Sequence, residues 1–255
     1  MKIIHLSDTH LGAPDFRLHD IDPVQRLEAC IRHINANHAD ADLCVMTGDL
    51  AHEGSPAGYA ALKSILAEFD LPCRLMLGNH DDRQAFRAVF PGYPTDSGGF
   101  VQSFLETDEG IMIFLDTKSP SPGHHGQLCA SRLDWLSDVL QGSGELPVFF
   151  CLHHPWFPVR LPALDRIALQ EAEPLASLLQ RHGRRIRHVF LGHVHRPMCG
   201  SWRGIPFSTI NSLVRQIGLD FRREDGLPVS PEGPAYAVAL IEAGQVCTHF
   251  CHFLA

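Results

Sequence analysis

The sequence lacks three features that would point to particular protein classes: a run of lysines or arginines, an apolar run of about 18 or more residues, and an evident interdomain linker. Its 255 residues carry a formal net charge of −8. Because duplex nucleic acid is bound through clustered cations that contact phosphates, this charge pattern argues against a duplex nucleic-acid partner. With neither a signal peptide nor a membrane span indicated, we expect no membrane association and a cytoplasmic location. The length suits a single domain, residues 1–255, with a sizeable core.

The eight cysteines are not spaced in pairs, so the sequence does not predict a disulfide framework. Most of them lie in apolar runs, as Cys44 does, which is typical of buried free thiols in a reducing compartment. Cys247 and Cys251 lie beside His249 and His252 and could bind a metal ion, but the residues between them favour a strand. The 17 histidines are more informative, because they exceed what packing requires.

Apolar runs alternate with amphipathic segments along most of the chain. We predict strands at residues 2–6, 42–47, 73–77, 98–106, 110–116, 147–152, 188–191 and 205–210, and helices at residues 23–37, 55–69, 83–89, 131–140 and 174–182. The loop at residues 119–126 is expected to expose its two histidines. Residues 205–255 are β-rich, apart from a polar excursion at residues 215–234. This order predicts a layered α/β or α/β-sandwich fold whose sheet edge carries the chemistry.

Polar side chains follow five of the predicted strands at the points where the strands end. Asp8 and His10 come first, and because residues i and i+2 of an extended chain project to the same side, they can converge on one point. On its own, this pair is also consistent with a turn aspartate beside an incidental histidine. The whole set comprises Asp8, His10, Asp49, Asn79, His153, His193 and His195.

Seven such donors are more than one ion needs from a protein, but they suit two ions that share a bridging carboxylate and keep open positions for water. Two carboxylates and four imidazoles in a largely apolar setting would be costly to bury without cations. The mixture of oxygen and nitrogen donors is compatible with Fe, Mn, Zn or Co. The sequence therefore predicts a centre of two divalent transition-metal ions.

The same residues fall into five motifs: Asp8-x-His10, Gly48-Asp49, Gly78-Asn79-His80-Asp81, His153-His154-Pro155 and Gly192-His193-x-His195. In this order they resemble the motifs of the calcineurin-like metallophosphoesterases. The Asn-His-Asp-Asp run and the His-His-Pro motif further resemble the bacterial branch that contains glycerophosphodiesterases and class III cyclic-nucleotide phosphodiesterases. The resemblance implies a four-layer α/β/β/α sandwich with mixed sheets, a homo-oligomer, and hydrolysis of small phosphodiesters such as cyclic nucleotides or glycerophosphodiesters.

The resemblance also implies which residues hold each metal ion. One ion is expected on Asp8, His10, Asp49 and His195, and the other on Asp49, Asn79, His153 and His193. Asp49 would bridge the two ions. His153 rather than His154 is the expected ligand, because the family pattern is His-x-Pro and Pro155 fixes the register.

Four further roles are expected around the metal ions. His80 follows a metal-ligand asparagine, so we expect it to hydrogen-bond the phosphate and to protonate or stabilise the leaving oxygen, as in the family. Asn79 is expected to contact the substrate as well as a metal ion. Asp81 is expected either to orient His80 or to cap the next helix. Arg215 stands where the glycerophosphodiesterase branch carries a further histidine, and it is expected to be either a phosphate contact or an ordinary surface arginine.

The expected reaction follows from the chemistry of the predicted centre. A water held between two cations has its pKa lowered towards neutrality, so the resulting hydroxide can attack phosphorus in line with the departing alkoxide. A phosphomonoesterase that uses the same site is one alternative. A scaffold of the same fold that has lost its metal is the other.

Overall fold

Two mixed β-sheets and a small two-stranded sheet hold the strands of this chain, which the computed structural model describes for residues 1–254. The strands are β1 (Lys2–Leu6), β2 (Leu43–Met46), β3 (Cys73–Leu75), β4 (Ser103–Thr107), β5 (Gly110–Leu115), β6 (Val148–Leu152), β7 (Ile186–Leu191), β8 (Met198–Trp202), β9 (Ile205–Thr209), β10 (Gln216–Ile217), β11 (Val229–Ser230), β12 (Ala235–Glu242) and β13 (Gln245–His252). The helices are α1 (Pro23–His38), α2 (Pro56–Leu66), α3 (Arg83–Val89), α4 (Ala130–Gly142), α5 (Pro162–Asp165) and α6 (Glu173–Arg181), with a 3₁₀ helix at His52–Gly54.

Both large sheets combine parallel and antiparallel strands. The first has the order β13-β12-β1-β2-β3, in which β1, β2 and β3 are parallel and β12 and β13 are antiparallel to their neighbours. The second has the order β4-β5-β6-β7-β9-β8, in which β5, β6, β7 and β9 are parallel and the two edge strands are antiparallel. The β-rich tail is therefore divided, because β9 joins the second sheet whereas β12 and β13 join the first.

Alternate residues of the central strands face different cores, as the two-residue period of a strand requires. Ile3 of β1 and Val45 of β2 pack in one core with Phe114 and Phe150 of the second sheet, so the two sheets face each other. Ile4, the next residue of β1, packs in a separate core to which α1 and α2 contribute. On the far side, α4 and α6 pack against the second sheet. The order of layers is helix, sheet, sheet, helix, which confirms the predicted α/β/β/α sandwich.

The parallel strands end at matching levels, and this brings their following loops together. Leu6 pairs with Met46, and Met46 pairs with Leu75, so the loops after β1, β2 and β3 leave the first sheet side by side. In the second sheet, Leu152 of β6 pairs with Leu191 of β7. The loops that follow these five strands carry all the predicted metal ligands.

The predicted elements match the structure closely where the apolar pattern is strong. The bounds of β1 and α3 agree at both ends. Helix α1 begins at Pro23, where Asp22 accepts hydrogen bonds from the backbone N–H groups of Val24 and Gln25. The strand predicted at residues 98–106 begins later, at Ser103. Strand β8 escaped prediction because Cys199, an exposed glycine and a serine at its centre give no apolar alternation.

Two further observations concern the cysteines and the helices. All eight cysteines have free thiols. Within residues 1–254, none of the helices combines the length and the apolar character needed to cross a membrane.

Candidate metal centre

The seven predicted ligands meet at one edge of the two sheets. Asp8 and His10 follow β1, Asp49 follows β2, Asn79 lies four residues after β3, His153 follows β6, and His193 and His195 follow β7. Their side chains are buried, apart from a small exposed part of His195. The structure thus brings together residues that lie as far apart as positions 8 and 195 of the chain.

One group of donors comprises Asp8, His10, Asp49 and His195, whose candidate ligand atoms all lie within 4.8 Å of one another. His195 Nε2 lies 3.0 Å from Asp8 Oδ1 and 3.4 Å from His10 Nε2. His10 Nε2 lies 3.8 Å from Asp49 Oδ2. This is the set that the sequence assigned to one metal ion.

The second group converges on the side-chain oxygen of Asn79. Asn79 Oδ1 lies 3.2 Å from His153 Nε2 and 2.9 Å from His193 Nδ1. His153 Nε2 lies 3.5 Å from Asp49 Oδ2, the same oxygen that faces His10. One oxygen of Asp49 therefore borders both groups.

Two backbone carbonyls fix the orientation of the imidazoles. His153 Nδ1 lies 2.7 Å from the oxygen of Thr47, and His195 Nδ1 lies 2.8 Å from the oxygen of Arg215. Because a carbonyl can only accept, each Nδ1 carries a proton, and in the neutral imidazole the Nε2 lone pair faces the centre. These Nε2 lone pairs face carboxylate and amide oxygens, which are also hydrogen-bond acceptors, so neither group supplies a proton to the other. Cations placed between them would accept these electron pairs, so this set of nitrogen and oxygen atoms fits divalent metal ions.

Charge and burial act together on the titratable groups of the centre. Burial alone would raise the pKa of Asp49, but the charge of His153 and its hydrogen bond hold that pKa well below the ordinary value. Burial lowers the pKa of His10 and of His193 to about 3, so both are neutral and can bind a metal at neutral pH. Burial opposes the charged form of His153, yet the charge of Asp49 raises its pKa to about 9. A cation at that position would compete with this proton.

Most of the ligand candidates have an unusual backbone conformation. Positive φ angles of 46° to 68° occur at Asp8, His10, Asp49, His193 and His195. Only a few per cent of non-glycine residues adopt such angles, and each costs about 1–3 kcal/mol unless neighbouring structure holds it. Strain of this kind clusters at functional sites, where it directs side chains into positions that a relaxed loop would not give them.

Two glycines allow the loops to approach His153. A Cβ atom on Gly78 would lie 2.7 Å from His153 Cε1, and one on Gly48 would lie 2.7 Å from His153 Nδ1. Gly48 also has φ of +105°, which disfavours any side chain. The glycines that precede Asp49 and Asn79 in the motifs are therefore required by close packing around a ligand.

His80 lines the cavity above the candidate metal ligands. Its backbone N–H donates a hydrogen bond of 2.8 Å to Asp49 Oδ1. Its ring stacks on the ring of His52, with centroids 5.0 Å apart and planes at 20°. His52 in turn stacks on Phe16 at 5.1 Å. The position of the His80 ring is thus set by an aromatic column.

The Asp81 carboxylate fills neither of the two roles expected of it. Its carboxylate accepts hydrogen bonds from the backbone N–H groups of Leu50, Ala51 and Gly78 and from the hydroxyl of Tyr59, at 2.8 to 3.1 Å. Helix α3 is capped by the next residue, Asp82, which accepts from the N–H of Ala85 at 2.7 Å. The expectation that Asp81 orients His80 or caps the helix is therefore wrong. Its carboxylate instead ties the Asp49 loop to the Asn79 loop.

Sequence reasoning missed His52 and undervalued His124. Both line the cavity, and His124 Nδ1 lies 3.1 Å from Asn79 Nδ2 although its side chain is exposed, as expected of a loop residue. The one available signal for His52 was its position three residues after Asp49, in the loop that follows β2.

His154 packs beside the centre, with Nδ1 2.7 Å from Thr117 Oγ1. Arg215 lines the cavity, and its Nη2 donates to the oxygen of Leu227 at 2.7 Å.

Comparison with known proteins identifies the family of this chain and the fold that it shares. A family model described as calcineurin-like phosphoesterase matches residues 1–197. The chain is 39% identical to the probable cyclic nucleotide phosphodiesterase of Rhodopseudomonas palustris, with 100% of this chain and 93% of that protein covered. It is 26% identical to the glycerophosphodiester phosphodiesterase of Enterobacter lignolyticus, covering 100% of this chain and 92% of that one. A dimetal phosphatase from Danio rerio has a similar fold, with a TM-score of 0.73, 15% identity, and coverage of 100% of this chain and 96% of that chain.

Proposed function

This chain belongs to the calcineurin-like phosphoesterase family, and on that premise we propose that it is a metal-dependent phosphodiesterase that hydrolyses small diesters, either cyclic nucleotides or glycerophosphodiesters. The observation that carries the proposal is the position of Asp49 Oδ2, 3.8 Å from His10 Nε2 and 3.5 Å from His153 Nε2. An oxygen placed between two groups of buried donors is what a bridging ligand requires.

We assign the ligands as two sets that share Asp49. One set is Asp8, His10, Asp49 and His195; the other is Asp49, Asn79, His153 and His193. His154 stays outside both sets in this assignment, because the His-x-Pro pattern of the family places His153 in the ligand position. The donors suit Fe, Mn, Zn or Co. When bound, two such ions would lower the pKa of a coordinated water and offset the charge of the phosphate.

The residues around the ligands bind and orient the diester. Asn79 can offer its amide nitrogen to a phosphate oxygen, because its side-chain oxygen faces His153 and His193. Burial lowers the pKa of His80, so its ring is neutral near pH 7 and can donate one N–H to the phosphate or to the departing oxygen. Arg215 places a permanent charge at the cavity and supports phosphate binding.

The setting of the enzyme is part of the proposal. The free thiols of all eight cysteines support a reducing compartment, and we propose the cytoplasm. We also propose a homo-oligomer, for which the resemblance to the family is the support.

A turnover panel tests the proposed function. Purified protein is loaded with Mn, Zn, Fe or Co and assayed on cyclic nucleotides, glycerophosphodiesters, a bis-aryl phosphate and a mono-aryl phosphate. We expect the diesters to be hydrolysed faster than the monoester. Faster hydrolysis of the mono-aryl phosphate would instead make the protein a phosphomonoesterase, and a protein that binds no metal would be a scaffold.

A further inference from the structure

The cavity above the metal ligands has a lining of two kinds. One part is polar and includes the imidazoles of His52, His80 and His124. Another part is aliphatic and consists of Leu164, Ile167, Ile217 and Leu227, which we call the aliphatic wall. The wall residues pack with Leu161 and Val194 in a small hydrophobic cluster. Phosphate chemistry accounts for the polar part of the lining but gives no role to the side of this cluster that lines the cavity.

The aliphatic wall is built by the excursion at residues 215–234 together with α5 and the residues just after it. The backbone N–H of Ile217 donates to the oxygen of His195 at 3.2 Å. Arg215 links the two ends of the excursion, because its own oxygen lies 2.8 Å from His195 Nδ1 while its Nη2 donates to the oxygen of Leu227. The segment that fixes a metal ligand therefore also positions two residues of the wall.

Further contacts join the excursion to the segments that follow α5 and β7. Arg166 donates to Asp225 Oδ1 at 2.9 Å and to Glu224 Oε2 at 2.8 Å. Arg196 Nη1 donates to the oxygen of Ile217 at 2.7 Å. These bonds join protein groups to each other, so the aliphatic wall is formed before a substrate arrives.

We propose that the aliphatic wall is a subsite for the nucleobase of a cyclic nucleotide. The inference rests on the proposed function, since it places one ester group of the diester. A nucleobase has flat apolar faces, and covering them together with the partly exposed Ile167 and Leu227 removes apolar surface from water. The small polar head group of a glycerophosphodiester would lose hydration on the same wall without gaining hydrogen bonds.

The size of the cavity agrees with a single small ligand. Its volume is about 240 Å³, whereas pockets for drug-sized ligands are typically about 300–1,000 Å³. The metal ligands His10, Asp49 and Asn79 share this cavity with the aliphatic wall. One molecule can therefore place its phosphate at the ligands and its base on the wall.

Kinetics of wall variants test the subsite. Ile167→Asn and Leu227→Asn replace partly exposed residues, and the matched control Val229→Asn changes a residue of β11 that is 63% exposed. In the metal-loaded enzyme, we expect each wall variant to raise KM for 3′,5′-cyclic AMP about 10-fold with kcat retained, and to leave glycerophosphoethanolamine kinetics unchanged. The control should match the parent on both substrates. Equal effects on the two substrates, or no effect on either, would overturn the subsite.

Calorimetric titration of the metal-loaded protein with adenosine gives a readout independent of turnover, because adenosine has no phosphate to hydrolyse. The parent and Val229→Asn should bind adenosine, and the wall variants should bind it about 10-fold more weakly. Equal binding by all four proteins, or by none, would contradict the subsite. If adenosine binds as expected but no diester is hydrolysed, the phosphodiesterase proposal fails while the subsite remains. If diesters are hydrolysed without the expected discrimination, only the subsite fails.

Discussion

The backbone N–H of His80 donates a hydrogen bond of 2.8 Å to Asp49 Oδ1, which leaves Asp49 Oδ2 to face both groups of proposed metal ligands. The proposed bridging carboxylate is thus oriented by the main chain of His80, whose ring is the proposed hydrogen-bond donor to the leaving oxygen. Because the bond does not involve the imidazole, the structure separates the role of the His80 side chain from the integrity of the metal centre.

His80→Ala should retain its metal ions and lose turnover in a way that depends on the leaving group. We expect about 10²- to 10⁴-fold slower hydrolysis of alkyl diesters, whose strongly basic departing oxygen depends on the hydrogen bond from His80, and a much smaller loss on aryl esters. Steady-state kinetics on both substrates and metal analysis provide the measurement. His125→Ala, in the loop at residues 119–126, serves as the control. Equal losses on both substrates would show that His80 does not act on the leaving group.

Gly78→Ala should weaken the metal centre through a steric clash. The added Cβ would lie 2.7 Å from His153 Cε1 and would push the ring or the Asn79 loop out of position. We expect metal affinity to fall about 10- to 100-fold, as for other changes that misplace a ligand. Gly142→Ala is a matched control, because a Cβ there meets nothing within 4 Å. Unchanged metal affinity in Gly78→Ala would contradict the close packing.

His188, a buried residue of β7 with Nε2 2.8 Å from Ser208 Oγ, should make the fold sensitive to acid. Burial lowers its pKa from 6.5 to about 4. Between these values the folded state binds fewer protons than the unfolded state, so its contribution to stability is present above pH 6.5 and is lost as the pH falls towards 4. The difference between the two pKa values corresponds to about 3 kcal/mol in the free energy of unfolding.

His188→Gln should therefore show a shallower fall in the free energy of unfolding on acidification than the parent. Urea denaturation at several pH values across this window gives the slopes. His249→Gln, on the exposed strand β13, should keep the parental slope. Identical slopes for the parent and His188→Gln would show that His188 is not the source of this acid sensitivity.

Cys129, at the start of α4, should be the most readily alkylated thiol. Burial alone would raise the pKa of this thiol, but hydrogen bonds with Ser131 and Arg132 together lower it to about 7. The buried thiols of Cys30 and Cys44 have pKa values raised by burial. Iodoacetamide labelling followed by mass spectrometry should find Cys129 modified first, with a midpoint near pH 7. Earlier labelling of a different cysteine would contradict this expectation.

The convergence of the proposed ligands could be predicted from sequence because each of them lies just beyond a buried strand. Asp8 and Asp49 follow strands whose apolar residues and length leave little freedom in where the next loop begins, and parallel pairing aligns those loops. The strand that delivers His193 was likewise evident from its apolar residues.

Side-chain direction within loops could not be predicted in the same way. Asp81 turns back to the Asp49 loop, and no spacing rule distinguishes that from a contact with His80. The stack of His52 on His80 depends on a 3₁₀ helix and on Phe16 from another loop. The excursion at residues 215–234 forms strands of two residues each, too short for any periodic pattern to indicate.

The number of metal ions bound per chain is the decisive measurement for the bridged centre. Purified parent protein, equilibrated with Mn and analysed by plasma mass spectrometry, should hold about two ions per chain. Asp49→Asn should lose ions from both positions together with at least about 10²-fold in turnover, while Asp134→Asn on the exposed face of α4 should match the parent. A parent that holds one ion or none, or an Asp49→Asn variant that keeps two ions and full turnover, would contradict a bridged pair of metal ions.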